Sequence, residues 1–262
     1  MPESSLMKLI ATILTKNESS HIVDCIESVN WADEVLVSDS FSDDNTVQLA
    51  QDAGATITQR PFDGWAGQRN AALDTAAELG ADWVFFVDAD ERASPELAGE
   101  IRQVIEERPE AGWWIPRRNY IVGKLMNHGG FYPDYQLRLL QMGRGRYDPG
   151  RPVHEVVLLD GSDGHLTIPL THYNYANWQQ FHEKQGRYAA FEAQILSERG
   201  IKPRPHNFIL QPLREFRRRY LTLQGYRDGL HGLKICLLLA FYYGFLPYWL
   251  MLREKPSAPM QE

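Results

Sequence analysis

Asp88 and Asp90 stand two residues apart directly after the apolar run Trp83-Val84-Phe85-Phe86-Val87. Such a β-branched and aromatic run predicts a strand covered on both faces, and its C-terminal end is where an open α/β sheet receives a ligand. An Asp-x-Asp there can aim one carboxylate into the crevice while the other reaches the same divalent cation, which in turn holds a diphosphate. Turn chemistry and a helix cap are the commoner uses of such a pair, so its weight depends on what else reaches the same edge. Glu18 and Asp39 are the other acids placed to do so. A rim of acceptors suits ribose hydroxyls, a base N–H and a cation, and suits a bare phosphate badly.

The elements that position these acids alternate. Leu9 to Leu14 predicts a short strand, followed by the turn Thr15-Lys16-Asn17-Glu18, the caps Ser19 and Ser20, and a helix with Ile22, Cys25, Ile26 and Val29 at helical spacing. Glu34 to Ser38 predicts a second strand ending in Asp39-Ser40, and Ser42-Asp43-Asp44-Asn45 caps a helix that Gly54 stops. A third strand, Ala55 to Thr58, leads through Gly64-Trp65-Ala66-Gly67 into a helix over Gln68 to Leu79. After the Asp pair, Ser94-Pro95 starts a helix with Leu97, Ile101, Val104 and Ile105 as its buried stripe. This alternation predicts a parallel doubly wound sheet with Glu18, Asp39, Asp88 and Asp90 on one edge. From Gly112 onward the pattern is β-type and irregular, with strands at Gln136 to Leu140 and Val153 to Leu158. Asp134, led in by a glycine pair and Pro133, is expected on a loop, where its ordinary role is that of a turn residue.

Composition narrows the function classes. The chain has 262 residues, 44% of them hydrophobic, enough for one α/β domain with additions. Its net charge of -7 is uneven: residues 1–182 carry 14 Lys and Arg against 27 Asp and Glu, and residues 183–262 carry 13 against 7. An acidic body argues against nucleic acid as a partner. The basic, apolar tail suits the anionic face of a membrane, or else a helical lid over the acidic body. Cys25 and Cys236 sit in apolar patterns without metal-ligand spacing and predict buried thiols in a reducing compartment. The apolar stretch Leu9 to Leu14 is too short for a signal peptide, so the residues before it are expected to be a leader to the first strand. No G-x-G-x-x-G follows that strand and no Walker sequence occurs, which disfavours dehydrogenases and P-loop enzymes. A sugar nucleotidyltransferase would want a Gly-rich loop at Thr15-Lys16-Asn17-Glu18, and an aspartate-nucleophile phosphatase would carry its acidic pair after the first strand. A non-catalytic membrane adaptor on a degraded enzyme fold remains as a third class.

Leu14-Thr15-Lys16-Asn17-Glu18, Asp39-Ser40, Gln68-Arg69-Asn70, Asp88-Ala89-Asp90-Glu91 and Asp134-Tyr135-Gln136-Leu137-Arg138 resemble, in order and spacing, the family 2 inverting glycosyltransferases of the GT-A fold. Within that family, Trp31-Ala32-Asp33-Glu34, Asp39-Ser40-Phe41-Ser42 and Val153-His154-Glu155 look most like the bacterial enzymes that glucosylate the inner core of lipopolysaccharide, close relatives of which act on polyprenyl phosphates and other envelope glycans. The resemblance implies an α/β GT-A domain over residues 1–175, with a nucleotide-sugar half at 8–110 and an acceptor half at 111–175, and a helical extension at 176–262. It implies that Thr15, Glu18 and Asp39 hold the nucleoside, Asp39 accepting from the uracil N–H, with Arg69 near the base or diphosphate. By the same likeness Asp88 reaches the ribose or the metal, Asp90 ligates Mg²⁺ or Mn²⁺, and Asp134 is the general base. His154 and Glu155 are candidates for a further metal or diphosphate contact, or for a structural role. Two departures from the family pattern stand out. Lys16 replaces the aromatic that usually stacks on the base, and Pro133 replaces the acid that often precedes the general base, which leaves any tuning of Asp134 to burial or to an arginine such as Arg138. The implied reaction is transfer of a hexose, glucose by the closest likeness, from a UDP-sugar to a glycan or glycolipid acceptor.

In the tail, Asn177 to Gly200 predicts a helix with Trp178, Phe181, Tyr188, Phe191 and Ile195 on its apolar side. Arg214, Arg217, Arg218 and Arg219 precede an uncharged run from Ile235 to Leu252, which reaches the lower length limit for a membrane span. Gly244 and Pro247 interrupt that run and aromatics crowd it. The expectation is therefore a pair of amphipathic helices lying on the cytoplasmic face of the inner membrane, ahead of a true span or a buried core helix.

Overall fold

The computed structural model of the chain describes residues 7–150 and 156–253. Its strands are β1 (Leu9–Thr15), β2 (Glu34–Asp39), β3 (Thr56–Gln59), β4 (Trp83–Asp88), β5 (Glu91–Arg92), β6 (Gly112–Ile121), β7 (Lys124–Leu125), β8 (Asp134–Gln141), β9 (Gly145–Tyr147), β10 (Val157–Leu159), β11 (Asp163–His165) and β12 (Leu170–Tyr175). The α-helices are α1 (Ile22–Val29), α2 (Thr46–Asp52), α3 (Trp65–Glu78), α4 (Pro95–Glu107), α5 (Trp178–Glu198), α6 (Asn207–Phe216), α7 (Gly229–Leu239) and α8 (Leu246–Arg253). Two compact units result, one of residues up to Arg117 with Asp134–His172, the other of Arg118–Pro133 with the residues from Tyr173 onward. Residues 118–133, assigned from sequence to the acceptor half, thus cluster with the C-terminal helices.

In the first unit β3, β2, β1 and β4 pair in parallel in that order, β8 joins β4 antiparallel, and β6 joins β8 antiparallel. The residues of β4 from Trp83 to Val87 are all buried, and strand alternation divides them between the two faces. Trp83, Phe85 and Val87 pack with residues of α1 and α4, including Ile22, Cys25, Leu97 and Ile101, whereas Val84 and Phe86 pack with Ala72, Leu73 and Ala76 of α3. Each buried Phe side chain contributes about 1.5 to 3 kcal/mol. The Ser94 hydroxyl accepts from the Leu97 amide at 3.3 Å and caps α4, as the sequence predicts.

Several local expectations change. Helix α3 begins at Trp65 rather than Gln68, because Gly64 at φ 113 turns the chain into it and Gly67 leaves room for Asp63, whose Oδ1 would lie 2.3 Å from an added Cβ. Neither Ser19 nor Ser20 caps α1, which starts at Ile22; the Glu18 carbonyl accepts from the His21 and Ile22 amides instead. Asp134 opens a strand rather than lying on a loop, since it pairs in register with Arg117 of β6.

In the second unit the Asn177 side chain caps α5 by accepting from the Gln180 amide at 2.9 Å. The buried side of α5 is Phe181, Gln185, Ala189 and Ala193, while Tyr188 and Phe191, expected inside, are 48% and 52% exposed. Phe181, Ile235, Leu239 and Tyr242 form a core with Ile121, Met126 and Tyr175. Residues Gly225–Arg253 form a helical stretch long and apolar enough to cross a membrane by length and composition. Only 39% of its most apolar window is buried, which does not fit the core-helix alternative. Both cysteines are buried free thiols.

Candidate active site

Parallel pairing aligns the candidate residues. The registers Thr15↔Asp39 and Leu14↔Asp88 put the ends of β1, β2 and β4 level, so Thr15, Asp39 and Asp88 share one edge of the sheet. Because β8 runs antiparallel to β4, with Phe85 opposite Leu139, its first residue Asp134 projects to that same edge.

Asp39 is fully buried and collects donors: the Thr15 hydroxyl at 3.1 Å and the Ser42 hydroxyl on Oδ1, the Ser42 amide and the Gln59 Nε2 on Oδ2, both at 2.9 Å. Burial alone would raise its carboxyl, but these hydrogen bonds outweigh it and hold the group below the usual range. Glu18 is half-buried at the rim, its amide donating to the Thr46 hydroxyl at 2.8 Å. The Lys16 ammonium donates to the carbonyls of Ser40 and Phe41 at 3.1 and 2.7 Å and so ties the end of β1 to the end of β2. Phe41 itself is 51% exposed at φ 57, a left-handed conformation unusual for an aromatic residue.

Oδ1 of Asp88 accepts from Arg69 at 3.2 Å and Arg138 at 3.0 Å, and Oδ2 accepts from Arg138 again. Burial would push this carboxyl up, yet the Arg138 and Arg69 charges prevail and hold it well below the usual carboxylate range. Guanidinium groups thus reach both oxygens of Asp88, the residue expected at the ribose or the metal, while its side chain stays 31% exposed. Arg69, expected near the base or diphosphate, is 5% exposed, lies over the Phe86 and Tyr147 rings and donates to Asp88.

Glu91 joins the two halves of the edge. Fully buried, it accepts from the Asp88 amide at 2.9 Å, from Arg138 at 3.1 Å and from Arg117 at 3.3 Å. Arg117 in turn donates from Nε and Nη2 to Oδ2 of Asp134, at 2.9 and 2.6 Å, while Gln136 donates to Oδ1 at 3.0 Å. A chain of alternating charges thus runs from Asp134 through Arg117, Glu91 and Arg138 to Asp88. The arginine that orients Asp134 is Arg117, not Arg138.

Oδ2 of Asp90 lies 3.5 Å from Nε2 of His172. The short pairing of β5 with β12, His172 opposite Glu91, brings the two side chains together. An oxygen and an imidazole nitrogen at this separation suit two ligands of one Mg²⁺ or Mn²⁺. Among the described residues no group of three His, Cys, Asp or Glu is gathered for a metal. His154 and Glu155 lie outside the described residues.

Glu91, Arg117, His172 and Gln59 were not singled out from sequence. Only Glu91 carried a signal, through its place in Asp88-Ala89-Asp90-Glu91; the others acquire their neighbours from strand pairing distant in sequence.

Glycosyl transferase family 2 matches residues 11–151. A lipopolysaccharide core biosynthesis glycosyltransferase of Rhizobium meliloti, LpsC, is 32% identical over 247 residues, 92% of this chain and 90% of that protein. The chain belongs to glycosyl transferase family 2. A glycosyltransferase of Rickettsia conorii is 42% identical over 105 residues, 40% of this chain and 36% of its own. Among solved structures, residues 1–349 of S. aureus TarS in complex with UDP-GlcNAc superpose with a TM-score of 0.51 at 15% identity, covering 90% of this chain and 80% of that one. The fold is accordingly GT-A, a mixed sheet flanked by helices, and the protein is a glycosyltransferase.

Proposed function

We propose that the protein transfers a hexose, glucose in the closest reading, from a UDP-sugar to a membrane glycolipid of the lipopolysaccharide-core type, inverting the anomeric centre. The observation that carries this is the register that sets Asp134 beside Arg117 on the edge that also holds Asp39 and Asp90. The name of the Rhizobium relative, which spans nearly the whole chain, supports the acceptor class, and the UDP-GlcNAc bound to TarS supports a uridine nucleotide donor.

In this mechanism Asp39 exchanges part of its hydrogen-bonding set for the uracil N–H, and Thr15 and Glu18 line the nucleoside. An acceptor hydroxyl attacks the anomeric carbon from the face opposite the diphosphate, its proton passes to a carboxylate oxygen of Asp134, and the bond from the anomeric carbon to the diphosphate oxygen breaks, releasing UDP. Arg117 and Gln136 fix the orientation of Asp134, so the proton acceptor is in place before the acceptor arrives. Asp90 and His172 would hold Mg²⁺ or Mn²⁺, which when bound stabilises the charge that develops on the leaving diphosphate. The site operates on the cytoplasmic side of the inner membrane, where nucleotide sugars and a lipid-linked acceptor meet.

The test is turnover with UDP-glucose and a lipopolysaccharide-core acceptor, the product read by NMR. A β-linked product from the α-linked donor, formed by the wild type and not by Asp134→Asn, is expected. An α-linked product would overturn the single-displacement mechanism.

A further inference from the structure

The second unit presents an apolar face that its own core does not use. Helix α6 crosses the helical stretch 240–245 so closely that a Cβ on Gly244 would lie 2.6 Å from the backbone of Pro212. Phe208 touches Phe245 and Tyr248, and Arg219 lies over the Tyr243 ring, so the two helices run antiparallel about that crossing. Gln211, Arg214, Glu215 and Arg218 gather with Tyr243 on one side of it. Helical spacing then sends Ile209 and Leu213 to the other side, together with Phe241, Phe245 and Trp249, which follow one another at i, i+4. The rings of Phe241, Phe245 and Trp249 stack in series, with centroids 5.5 and 6.1 Å apart. Ile209 and Leu213 are 63% and 59% exposed, and Phe241 and Trp249 are 43% and 44% exposed. A soluble surface rarely gathers so many large apolar side chains.

Charge identifies what covers this face. Both acids of the described stretch from Asn207 onward are engaged, Glu215 with Arg218 and Arg219, and Asp228 with His128. Exposed basic groups of the same helices border the apolar residues, among them Arg217 and Arg253. Aromatic rings flanked by arginines match the boundary between headgroups and acyl chains of an anionic bilayer. Pro212 and Pro247, and the antiparallel pairing of α6 with the 240–245 stretch, favour helices lying in the membrane plane over a span.

We propose that Ile209, Leu213, Phe241, Phe245 and Trp249 form an in-plane docking face for an anionic lipid surface. The proposal rests on the membrane-acceptor reading above and adds to it the residues, the orientation and the lipid charge. Its test is flotation of the full chain with vesicles of phosphatidylcholine alone or with 30% phosphatidylglycerol, neither containing a glycolipid acceptor, alongside calorimetric UDP binding. The wild type is expected to bind the anionic vesicles on the order of tenfold more tightly than the neutral ones, and to be released by alkaline carbonate. Phe241→Ser with Trp249→Ser is expected to weaken vesicle binding roughly tenfold with UDP binding unchanged. A second pair, Ile209→Ser with Leu213→Ser, checks the result on the other helix. Equal or absent binding to the two vesicle types, retention of binding by both double variants, or concentration-dependent dimerisation abolished by them would overturn the docking face. Resistance to carbonate would overturn the in-plane orientation. Failure of UDP binding with vesicle binding intact would instead count against the donor reading.

Discussion

Glu91→Gln removes one charge and almost no volume from the middle of the buried network. Glu91 accepts two guanidinium hydrogen bonds and the Asp88 amide, and its side chain is fully buried. A glutamine oxygen can satisfy only part of that set, and its NH₂ then faces either a guanidinium or the Asp88 N–H. The surrounding Arg69, Arg117 and Arg138 are left with Asp88 and Asp134 as partners, one charge short. Removing one member of a buried ion pair costs about 3 to 5 kcal/mol, a large share of the roughly 5 to 15 kcal/mol that holds a domain together. Urea unfolding at pH 7 is expected to show that loss, with Tm lowered by roughly 6 to 20 °C. Adding Arg117→Met restores the charge balance, so the double variant is expected to lose less than the two single losses together by about 1 kcal/mol or more. A Glu91→Gln protein within about 1 kcal/mol of the wild type would refute the organising role of this carboxylate.

Other outcomes follow from single observations. Asp134→Asn is expected to lower kcat by about 10² to 10⁴-fold while UDP affinity stays the same, because Asp134 acts on the acceptor side. Phe41→Gly is expected to raise stability by about 1 kcal/mol in thermal unfolding, since glycine relieves the left-handed conformation at φ 57; a loss would show that the exposed ring packs. His231 donates to the Ile121 carbonyl at 2.9 Å, and burial, aided by Lys124 and Lys234, lowers its imidazole below 6.5. The folded state therefore excludes a proton that the unfolded state binds. Its contribution is complete above about pH 6.5 and declines as pH falls below that value, so the urea midpoint is expected to drop from pH 7.5 to 5, and to drop less in His231→Gln.

The sheet was legible because its signals are local. The run from Trp83 to Val87 needs both faces covered whatever surrounds it, and Ser94-Pro95 specifies its own helix start. Asp39 and Asp90 could be placed because a strand end is visible in sequence. The partners of those acids were not visible. Arg117 reaches Asp134 and His172 reaches Asp90 through antiparallel registers between segments far apart in the chain, and a lone histidine in Leu170–Tyr175 carries no pattern of its own. Burial of Glu91 between two arginines is equally non-local, so its place after Asp90 marks the residue without showing what it binds. In α5 Phe181 is buried as expected, but the small residues Ala189 and Ala193 permit close packing further along the helix and turn Tyr188 and Phe191 outward.

Calorimetric titration of the intact chain with UDP, with and without Mn²⁺, set beside Asp90→Ala and His172→Ala, tests the assignment of the strand-edge acids most directly. Metal-dependent binding by the wild type, lost in both variants while their folds remain intact, is the predicted result. Binding that is equally tight without metal, or unchanged in the two variants, would contradict it.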